Sequence, residues 1–276
     1  MVLGDANSMS TLAGTIAEVD HVVYAVGSSS PSESDLDPAS DIEIVLPPVV
    51  RLLELLRLRP SVGLTFLSSG GAVYGNTLEK LTSERDRPEP ISSYGILKLT
   101  AEKYITMYSA LYGVPVRILR IANAYGPGQP WVKGQGVIAR LMRCALTGDA
   151  FQVFGDGSNV RDYIYIEDIA SITADLIEGS DLNPVVNVGS GQGHSINELV
   201  ALVEQVTHRR IEVQRREQRY FDVRSIVLDV SLLSSCIRYR PTSLETGLRQ
   251  TWQVLRATEI SDLPTVSLPH SPGAGW

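Results

Sequence analysis

The sequence predicts an α/β protein in which parallel strands form a sheet that helices cover on both faces. Three observations support this prediction. Short apolar runs rich in β-branched residues alternate with longer segments of helical periodicity, as in "GLTFLSS" followed by "SSYGILKLTAEKYITMYSALYG". The chain of 276 residues is long enough to bury a full core. It has no internal repeat and no evident linker, so a second subdomain must be interleaved with the first.

The first half of the chain alternates between predicted strands and helices. "VDHVVYAVG" is predicted to be a buried strand, and "VVRLLELLRL" a helix whose first turn accommodates Pro47 and Pro48. "GLTFLSS" is the next strand. The long helix "SSYGILKLTAEKYITMYSALYG" and the strand "PVRILRIAN" follow. This order is typical of βαβ units.

The second half is more mixed. We expect a helix near "GVIARLMRCALTG", a short strand at "FQVFG", and a strand "RDYIYI" that leads into a helix from Glu167. The remaining predicted elements are the strand and helix of "VVNVGSGQGHSINELV", the runs "IEVQRRE" and "RSIVLD", and the last helix "SLETGLRQTWQVLRA". From about Thr258 on, Pro, Ser and Gly dominate, which predicts a disordered tail.

The glycine cluster in "VVNVGSGQGHSINELV" resembles a nucleotide-binding loop but departs from it. The third glycine of such a loop would be His194, where a side chain would crowd the close packing of helix and strand. Ser195 and Glu198 instead form a capping box ahead of an apolar-periodic segment. The pattern therefore favours a tight turn into a capped helix. His194 is predicted to be a turn residue rather than a ligand, because no His, Cys or carboxylate stands at metal-ligand spacing.

Composition narrows the classes of function. With 43% hydrophobic residues and a mean hydropathy of +0.04, the chain has the composition of an ordinary globular protein. A net charge of −7 argues against nucleic-acid binding. Cys144 and Cys236 lie far apart without a motif, which suits a reducing compartment. No segment is long and apolar enough to cross a membrane, and the N-terminus lacks the features of a signal peptide, so we expect a cytoplasmic protein.

The strongest chemical pattern is Tyr94-Gly-Ile-Leu-Lys98 on the long helix. Residues at i and i+4 share one helix face, which places the ammonium of Lys98 near the phenol of Tyr94. A nearby cation should lower the pKa of Tyr94, as a general acid/base requires. Alone, the pattern is common and often marks only a solvated face. Ser68 and Ser69, however, end a strand at the ligand-binding edge of a parallel sheet, where a hydroxyl could bind a substrate oxygen.

Five motifs, in one unbroken order, resemble those of a known family. They are "FLSSGGAVYGN", "SSYGILKLTAEKY", "RIANAYGPGQ", "VFGDGSNVRDYIYIEDIA" and "VNVGSGQGHSINEL". The chain is similar to the extended short-chain dehydrogenase/reductases, and within them to the NAD-dependent nucleotide-sugar epimerases and dehydratases, of which UDP-glucose/UDP-galactose 4-epimerases are typical. The resemblance implies a Rossmann-type sheet, here N-terminally incomplete, with a small interleaved C-terminal substrate subdomain.

The resemblance also implies roles for particular residues. Tyr94 would be the catalytic acid/base and Lys98 its partner, both also touching the nicotinamide ribose. The family's third catalytic hydroxyl falls in "SSGG", where alignment on "VYG" puts Gly70 at the usual Ser or Thr. Counting back from Tyr94 makes Ser69 the better candidate for this hydroxyl and for contact with the substrate. Other substrate-binding positions would be Asn123, Arg161, Arg219 and Asp222, the arginines holding a diphosphate.

The cofactor implied is NAD, yet part of its usual site has no counterpart. By resemblance, Asp5 would touch the adenine, and Ala25, Val26 and Gly27 would pass beneath the cofactor. The glycine-rich pyrophosphate loop and the acidic ribose ligand are absent from this chain, a segment on the order of 55 residues. Two interpretations stay open: a shortened working enzyme, or a cofactor-deficient remnant that binds nucleotide-sugar or a partner chain.

The expected organisation and reaction follow from the resemblance. Residues 1–128, with about 160–190, would form a partial NAD-binding domain, 129–159 and 191–257 the substrate subdomain, and 258–276 a disordered tail.

The expected reaction inverts C4 of a UDP-sugar through a 4-keto intermediate. A dehydratase usually has Asp-Glu where this chain has Gly71 and Ala72, whereas a decarboxylase or 4-reductase stays open. Apolar residues around the helix that contains Leu111 predict a homodimer through a helix bundle.

Overall fold

The structure, a computed structural model, describes residues 4–5, 8–27, 34, 36–77, 81–129, 136–179, 184–217 and 223–259. Its helices are α1 (Met9–Ile16), α2 (Pro38–Leu56), α3 (Gly70–Val73), α4 (Ser93–Tyr112), α5 (Val137–Thr147), α6 (Ile166–Glu178), α7 (Ile196–Thr207), α8 (Ser231–Cys236) and α9 (Leu244–Glu259). Its strands are β1 (His21–Tyr24), β2 (Gly63–Ser69), β3 (Leu81–Thr82), β4 (Val116–Ile121), β5 (Asn123–Tyr125), β6 (Phe151–Phe154), β7 (Val160–Tyr165), β8 (Val185–Val188), β9 (Gly193–Ser195), β10 (Val213–Arg216) and β11 (Ser225–Leu228).

The main sheet is parallel throughout and has the strand order β1-β2-β4-β8. One face packs on α2 and α4, where Leu53, Phe66 and Ile105 are at most 2% exposed. The opposite face of β4 and β8 packs on α6 and α8. This arrangement confirms the predicted α/β fold and its parallel sheet. At the other end, Val23 of β1 is 44% exposed, and no strand among the described residues pairs with the outer edge of β1.

The prolines of α2 do not lie in its first turn, where they were predicted to be. The helix begins at Pro38, capped by Asp37, whose carboxylate accepts the N–H of Ser40 at 3.1 Å. Pro47 and Pro48 therefore lie inside the helix rather than in its first turn. Each proline removes the donor for the carbonyl four residues earlier. Those carbonyls belong to Glu43 and Ile44, two exposed residues that water can reach, so the helix continues through both prolines.

A second layer of strands extends beyond the main sheet. In the order β3-β11-β7-β5 the strands are parallel, and β9 pairs with β7 in the antiparallel sense. β6 and β10 form a separate parallel pair. Helices α5, α7 and α9 enclose a further apolar core with buried residues such as Leu141, Met142, Leu199, Val203 and Trp252. β5 of this second layer follows β4 of the main sheet directly, so the carboxyl end of β4 adjoins the second layer.

The predicted elements largely coincide with the observed ones. The capping box before α7 is confirmed, because Ser195 accepts the N–H of Glu198 and Glu198 accepts the N–H of Ser195. The short helices α1, α3 and α8 have no counterpart among the predictions. The last helix reaches Glu259, and the rest of the predicted tail lies outside the described residues. Within the described residues, none of the helices has the length and apolarity that crossing a membrane requires.

Candidate functional site

Tyr94 and Lys98 lie together at the carboxyl end of the main sheet, on the first turns of α4. Ser92 caps this helix by accepting the N–H of Gly95 at 3.2 Å. The Nζ of Lys98 lies 5.8 Å from the centre of the Tyr94 ring. It also lies 5.0 Å from the centre of the Phe66 ring and donates to the carbonyl oxygen of Leu67 at 3.1 Å. The helical spacing thus brings phenol and ammonium together, as predicted.

The pKa of Tyr94 shifts in the direction opposite to the one predicted. Burial raises this pKa, the hydrogen bond with Ser69 lowers it, and the negative charge of Asp41 raises it again, with a net rise. The prediction of a lowered pKa was therefore wrong for the chain alone. Spacing along a helix shows that Lys98 is near, but it does not show that the phenol is buried. Burial also lowers the pKa of Lys98 to about 8, although the charge of Glu102 opposes this shift.

Ser69, rather than position 70, presents a hydroxyl to Tyr94. The side chain of Ser69 forms a hydrogen bond with the Tyr94 phenol. At Gly70, an added Cβ would lie 2.9 Å from the carbonyl oxygen of Arg120 and 2.7 Å from a methyl group of Leu228. Neither a serine nor a threonine would fit there without a backbone shift. The close approach of β4 and β11 therefore accounts for the glycine that departs from the family pattern.

Ser68 points into a buried polar network that was not predicted from the sequence. Its Oγ donates to Glu102 at 2.5 Å, and Glu102 also accepts bonds from Arg120, the shortest at 2.7 Å. Arg120 donates to the Tyr74 hydroxyl at 2.9 Å, which donates in turn to Asn187 at 2.7 Å. Glu102 and Arg120 are 3% and 5% exposed. The one sequence signal was the position of Glu102, four residues after Lys98.

The proposed cofactor positions lie in three parts of the chain, two of which are exposed. Ala25, Val26 and Gly27 follow β1 and are exposed, and an added Cβ at Gly27 would meet nothing within 4 Å. Asp5 is exposed as well, and its carbonyl accepts the N–H of Ser8. Tyr94 and Lys98 suit the nicotinamide ribose, since both present polar atoms at the same sheet edge. For a pyrophosphate, none of the described residues forms a glycine-rich helix N-terminus beside β1.

The candidate substrate residues lie on two paired strands. Asn123 of β5 is in register with Tyr163 of β7, two positions from Arg161. The Asn123 Oδ1 lies 3.0 Å from where a Cβ on Gly71 would be. Both Asn123 and Arg161 are half-buried, and the Arg161 guanidinium donates to the carbonyl of Val160 at 2.9 Å. Arg219 and Asp222 lie outside the described residues.

The glycine cluster after β8 binds a carboxylate of the chain itself. One oxygen of Asp162 accepts the N–H of Ser190 at 2.9 Å and its hydroxyl at 2.6 Å. The other accepts the N–H of Gly191 at 3.1 Å and that of Leu228 at 3.3 Å. A Cβ on Gly189 would lie 2.5 Å from Asp162. Because the glycines lack side chains, backbone N–H groups of this tight turn can surround the Asp162 carboxylate.

No metal site emerges from the described residues, among which no three His, Cys, Asp or Glu side chains cluster suitably. His194 lies in the short strand β9 rather than in the turn. Cys144 is buried, Cys236 is half-buried, and both are free thiols. Tyr94, Lys98 and Ser69 are the polar side chains that the structure brings together at the carboxyl end of β2.

Comparison with known sequences shows a protein family and several relatives that this chain resembles. The model of the NAD dependent epimerase/dehydratase family matches residues 1–189. A putative UDP-glucose 4-epimerase of Methanocaldococcus jannaschii is 31% identical over 234 residues, covering 84% of this chain and 76% of the relative. A UDP-N-acetyl-alpha-D-glucosaminuronate decarboxylase of Bacillus cytotoxicus is 30% identical over 204 residues, covering 70% of this chain and 63% of the relative. The relatives thus include more than one activity.

Two similar proteins of known structure are both UDP-glucose 4-epimerases. A UDP-glucose 4-epimerase of Thermotoga maritima, solved with UDP-glucose, has a TM-score of 0.88 and 31% identity, covering 93% of this chain and 84% of that one. The UDP-glucose 4-epimerase of Thermus thermophilus, in complex with NAD, has a TM-score of 0.86 and 30% identity, covering 92% of this chain and 83% of that one.

Proposed function

The chain belongs to the NAD-dependent epimerase/dehydratase family of enzymes, and we propose that it inverts C4 of a UDP-linked sugar through a 4-keto intermediate. The observation that carries this proposal is the contact of Tyr94 with both Lys98 and Ser69 at the carboxyl end of a parallel sheet. A phenol, a cation and a hydroxyl together can remove and return the proton of a substrate hydroxyl. Similarity to 4-epimerases supports the choice of C4.

In the proposed reaction, Tyr94 takes the proton of the C4 hydroxyl and later returns it. The Ser69 hydroxyl, already bonded to the phenol, would hold the same substrate oxygen in hydrogen-bond reach. Lys98 would stabilise the phenolate by its charge, which matters because burial otherwise raises the pKa of Tyr94. When bound, NAD would supply the hydride acceptor and donor for C4, with the 4-keto sugar turning over between the two transfers, and a positive ring that favours the phenolate.

NAD would contact this chain at several of the residues described. Lys98 and Tyr94 would hold the nicotinamide ribose, the Ala25–Gly27 edge would lie beneath the middle of the cofactor, and Asp5 would reach the adenine. None of these supplies the run of backbone N–H groups that usually binds a pyrophosphate. We therefore expect the 276-residue chain to bind NAD more weakly than micromolar.

The nucleotide-sugar would lie on the second layer of strands. Asn123 at the start of β5 would meet the sugar, and the guanidinium of Arg161, together with Arg219, would hold the diphosphate. Planar guanidinium groups bind phosphate oxygens in pairs, which makes arginine suitable for this task. Asp222 would bind the nucleoside ribose.

Other reactions of the family differ in the groups they require. Loss of water needs an acidic pair next to the catalytic hydroxyl, and this chain has Gly71 and Ala72 there. Decarboxylation of a sugar acid or reduction at C4 would use the same Tyr94 and Lys98. The similarity to a decarboxylase keeps that activity as the second candidate. A non-catalytic role, in which the chain binds nucleotide-sugar without NAD, is the third.

We also propose that the active form is a homodimer formed through α4 and α2. Leu97, Ile105 and Tyr108 of α4 are buried against the chain itself. Leu111 and Tyr112 of the same helix are 64% and 45% exposed. A helix with apolar residues on a second face is suited to pack on another subunit.

A screen of nucleotide-sugars tests these alternatives together. The chain is incubated with millimolar NAD and each sugar, and products are separated by chromatography before mass spectrometry. An epimer of unchanged mass supports the proposal, whereas loss of carbon dioxide supports the decarboxylase. Calorimetry with UDP-glucose and with NAD up to millimolar concentration separates the remaining candidate, because binding of the nucleotide-sugar without any binding of NAD would indicate a non-catalytic protein.

A further inference from the structure

Tyr163 is a buried tyrosine whose hydroxyl has no hydrogen-bond partner in the part of the chain that the structure describes. The residue is 5% exposed and belongs to the apolar core enclosed by α5, α7 and α9. A buried hydroxyl without a partner has given up its bonds to water for nothing, which destabilises the folded chain. Buried tyrosines usually find a partner for this group. A phenylalanine would fill the same space without the cost, so packing alone does not account for the hydroxyl.

Tyr163 lies next to both candidate substrate residues that the structure describes. Asn123 of β5 is its direct partner in the register of β5 and β7. Arg161 precedes it by two positions on β7, and side chains two positions apart on a strand lie on the same face of the sheet. Asn123 and Arg161 are both half-buried, so a ligand can reach this face beside Tyr163. The other unpartnered hydroxyl among the described residues, that of Thr82, lies on β3, away from β5 and β7 in the strand order.

The face that contains Tyr163 adjoins the catalytic end of β2. The Oδ1 of Asn123 lies 3.0 Å from where a Cβ on Gly71 would be, and Gly71 follows Ser69 by two positions. A nucleotide-sugar with its sugar beside Ser69 and its diphosphate at Arg161 would therefore extend past Asn123 and Tyr163. The phosphate groups would then come closest to the Arg161 side of Tyr163.

The hydroxyl of Tyr163 is suited to donate a hydrogen bond to an anion. Burial raises the pKa of Tyr163, and the positive charge of Arg161 opposes this rise only in part. The phenol therefore keeps its proton at physiological pH and can act as a hydrogen-bond donor. Phosphate oxygens are charged acceptors, and hydrogen bonds to charged acceptors are stronger than those between neutral groups. The guanidinium of Arg161 attracts the same kind of oxygen.

We propose that the Tyr163 hydroxyl donates a hydrogen bond to a phosphate oxygen of the nucleotide-sugar, beside the guanidinium of Arg161. The inference rests on the proposed function for the identity of the ligand. The hydroxyl then finds in the complex the acceptor that the described residues of the free chain do not supply. It destabilises the free chain and strengthens the complex, so its removal should change these two properties in opposite directions.

Tyr163→Phe tests this inference, because it removes the hydroxyl and keeps the ring. Calorimetry measures the dissociation constant of UDP, and thermal unfolding without ligand measures the stability of the free chain. UDP should bind at least ~10-fold more weakly to the variant, because a hydrogen bond to a charged acceptor is lost. The melting temperature of the free variant should be about 2–4 °C higher, because the variant no longer buries an unpartnered hydroxyl.

The matched control is Tyr125→Phe. Tyr125 is 2% exposed and belongs to the same core, but its hydroxyl donates to the carbonyl of Leu244 at 3.5 Å. Its replacement also removes one buried hydroxyl, so it should leave the affinity for UDP unchanged and should not raise the melting temperature.

Three results would overturn the inference. They are a UDP affinity of Tyr163→Phe equal to that of the native chain, an equal loss of affinity in Tyr125→Phe, and a native chain that does not bind UDP. A melting temperature of free Tyr163→Phe that does not rise would also contradict it, because the hydroxyl would then have a partner in the free chain.

Neither measurement requires turnover, so failure of the proposed function would look different. It would appear as a native chain that binds UDP with the expected differences between variants but converts no nucleotide-sugar. Where conversion occurs, KM of Tyr163→Phe should rise by the same factor as the dissociation constant while kcat stays nearly constant, because the diphosphate takes no part in the bond changes.

Discussion

Replacing Asp162 by Asn should destabilise the chain strongly, because the carboxylate accepts backbone N–H groups of the glycine-rich turn after β8. Both of its oxygens are occupied, one by Ser190 and the other by the N–H groups of Gly191 and Leu228. An asparagine keeps only one of these oxygens and presents an NH₂ group at the other position. That NH₂ group would face N–H donors and could accept no bond from them.

The expected magnitude follows from the N–H groups left without an acceptor, which are those of Gly191 and Leu228 in one orientation of the amide and that of Ser190 in the other. Each buried, unsatisfied N–H costs about 1–3 kcal/mol. The substitution also removes a charge from a buried site, where burial already raises the pKa of Asp162. We therefore expect a net loss of about 2–4 kcal/mol in the free energy of unfolding, a large share of the ~5–15 kcal/mol typical of a native protein.

Urea unfolding followed by circular dichroism and fluorescence measures this loss as a lower midpoint. The matched control is Asp156→Asn. Asp156 accepts the N–H of Ser158 at 2.9 Å and its hydroxyl at 2.6 Å, distances equal to those between Asp162 and Ser190. It is exposed, however, and one oxygen accepts both bonds, so its replacement should cost less than about 1 kcal/mol. Equal effects of the two substitutions would show that the internal anion does not hold the turn.

Two further predictions concern other parts of the chain. Ser195→Ala removes the N-cap of α7 and should cost about 1 kcal/mol of stability in thermal unfolding; an unchanged melting temperature would mean that the cap contributes nothing. Leu111→Glu places a charge on the exposed apolar face of α4 and should convert a dimer into a monomer, as measured by light scattering at micromolar concentration. A native chain that is already monomeric would refute the proposed dimer.

Helices and strands that a local sequence pattern specifies were predicted correctly. The apolar run of β2 and the long periodicity of α4 each specified one element, and the capping box marked the start of α7. The positions of Pro47 and Pro48 in α2 were predicted wrongly, because a proline within a helix lies most often in the first turn. The signal for the true start, an Asp followed by Pro38, was present in the sequence.

Less of the candidate site than of the fold could be predicted from the sequence, because the pKa values of its side chains depend on burial and on residues distant in the chain. The spacing of Tyr94 and Lys98 indicated that they meet, but not that the phenol is buried or that Asp41 acts on it. The contact of Tyr74 with Asn187 spans 113 positions in the chain. No local pattern predicts such a pair, because it arises only when β8 takes its place beside β4.

The most direct test of the central claim is an NMR measurement of UDP-glucose incubated with millimolar NAD and either the native chain or Tyr94→Phe. The proposal predicts that UDP-galactose signals grow to an equilibrium mixture with the native chain. It predicts a rate at least ~100-fold lower with Tyr94→Phe, because that variant keeps the ring but loses the proton acceptor. Calorimetry with UDP-glucose should show that both chains bind the nucleotide-sugar equally well. Equal conversion rates for the two chains, or a product that has lost water from its sugar, would contradict the account.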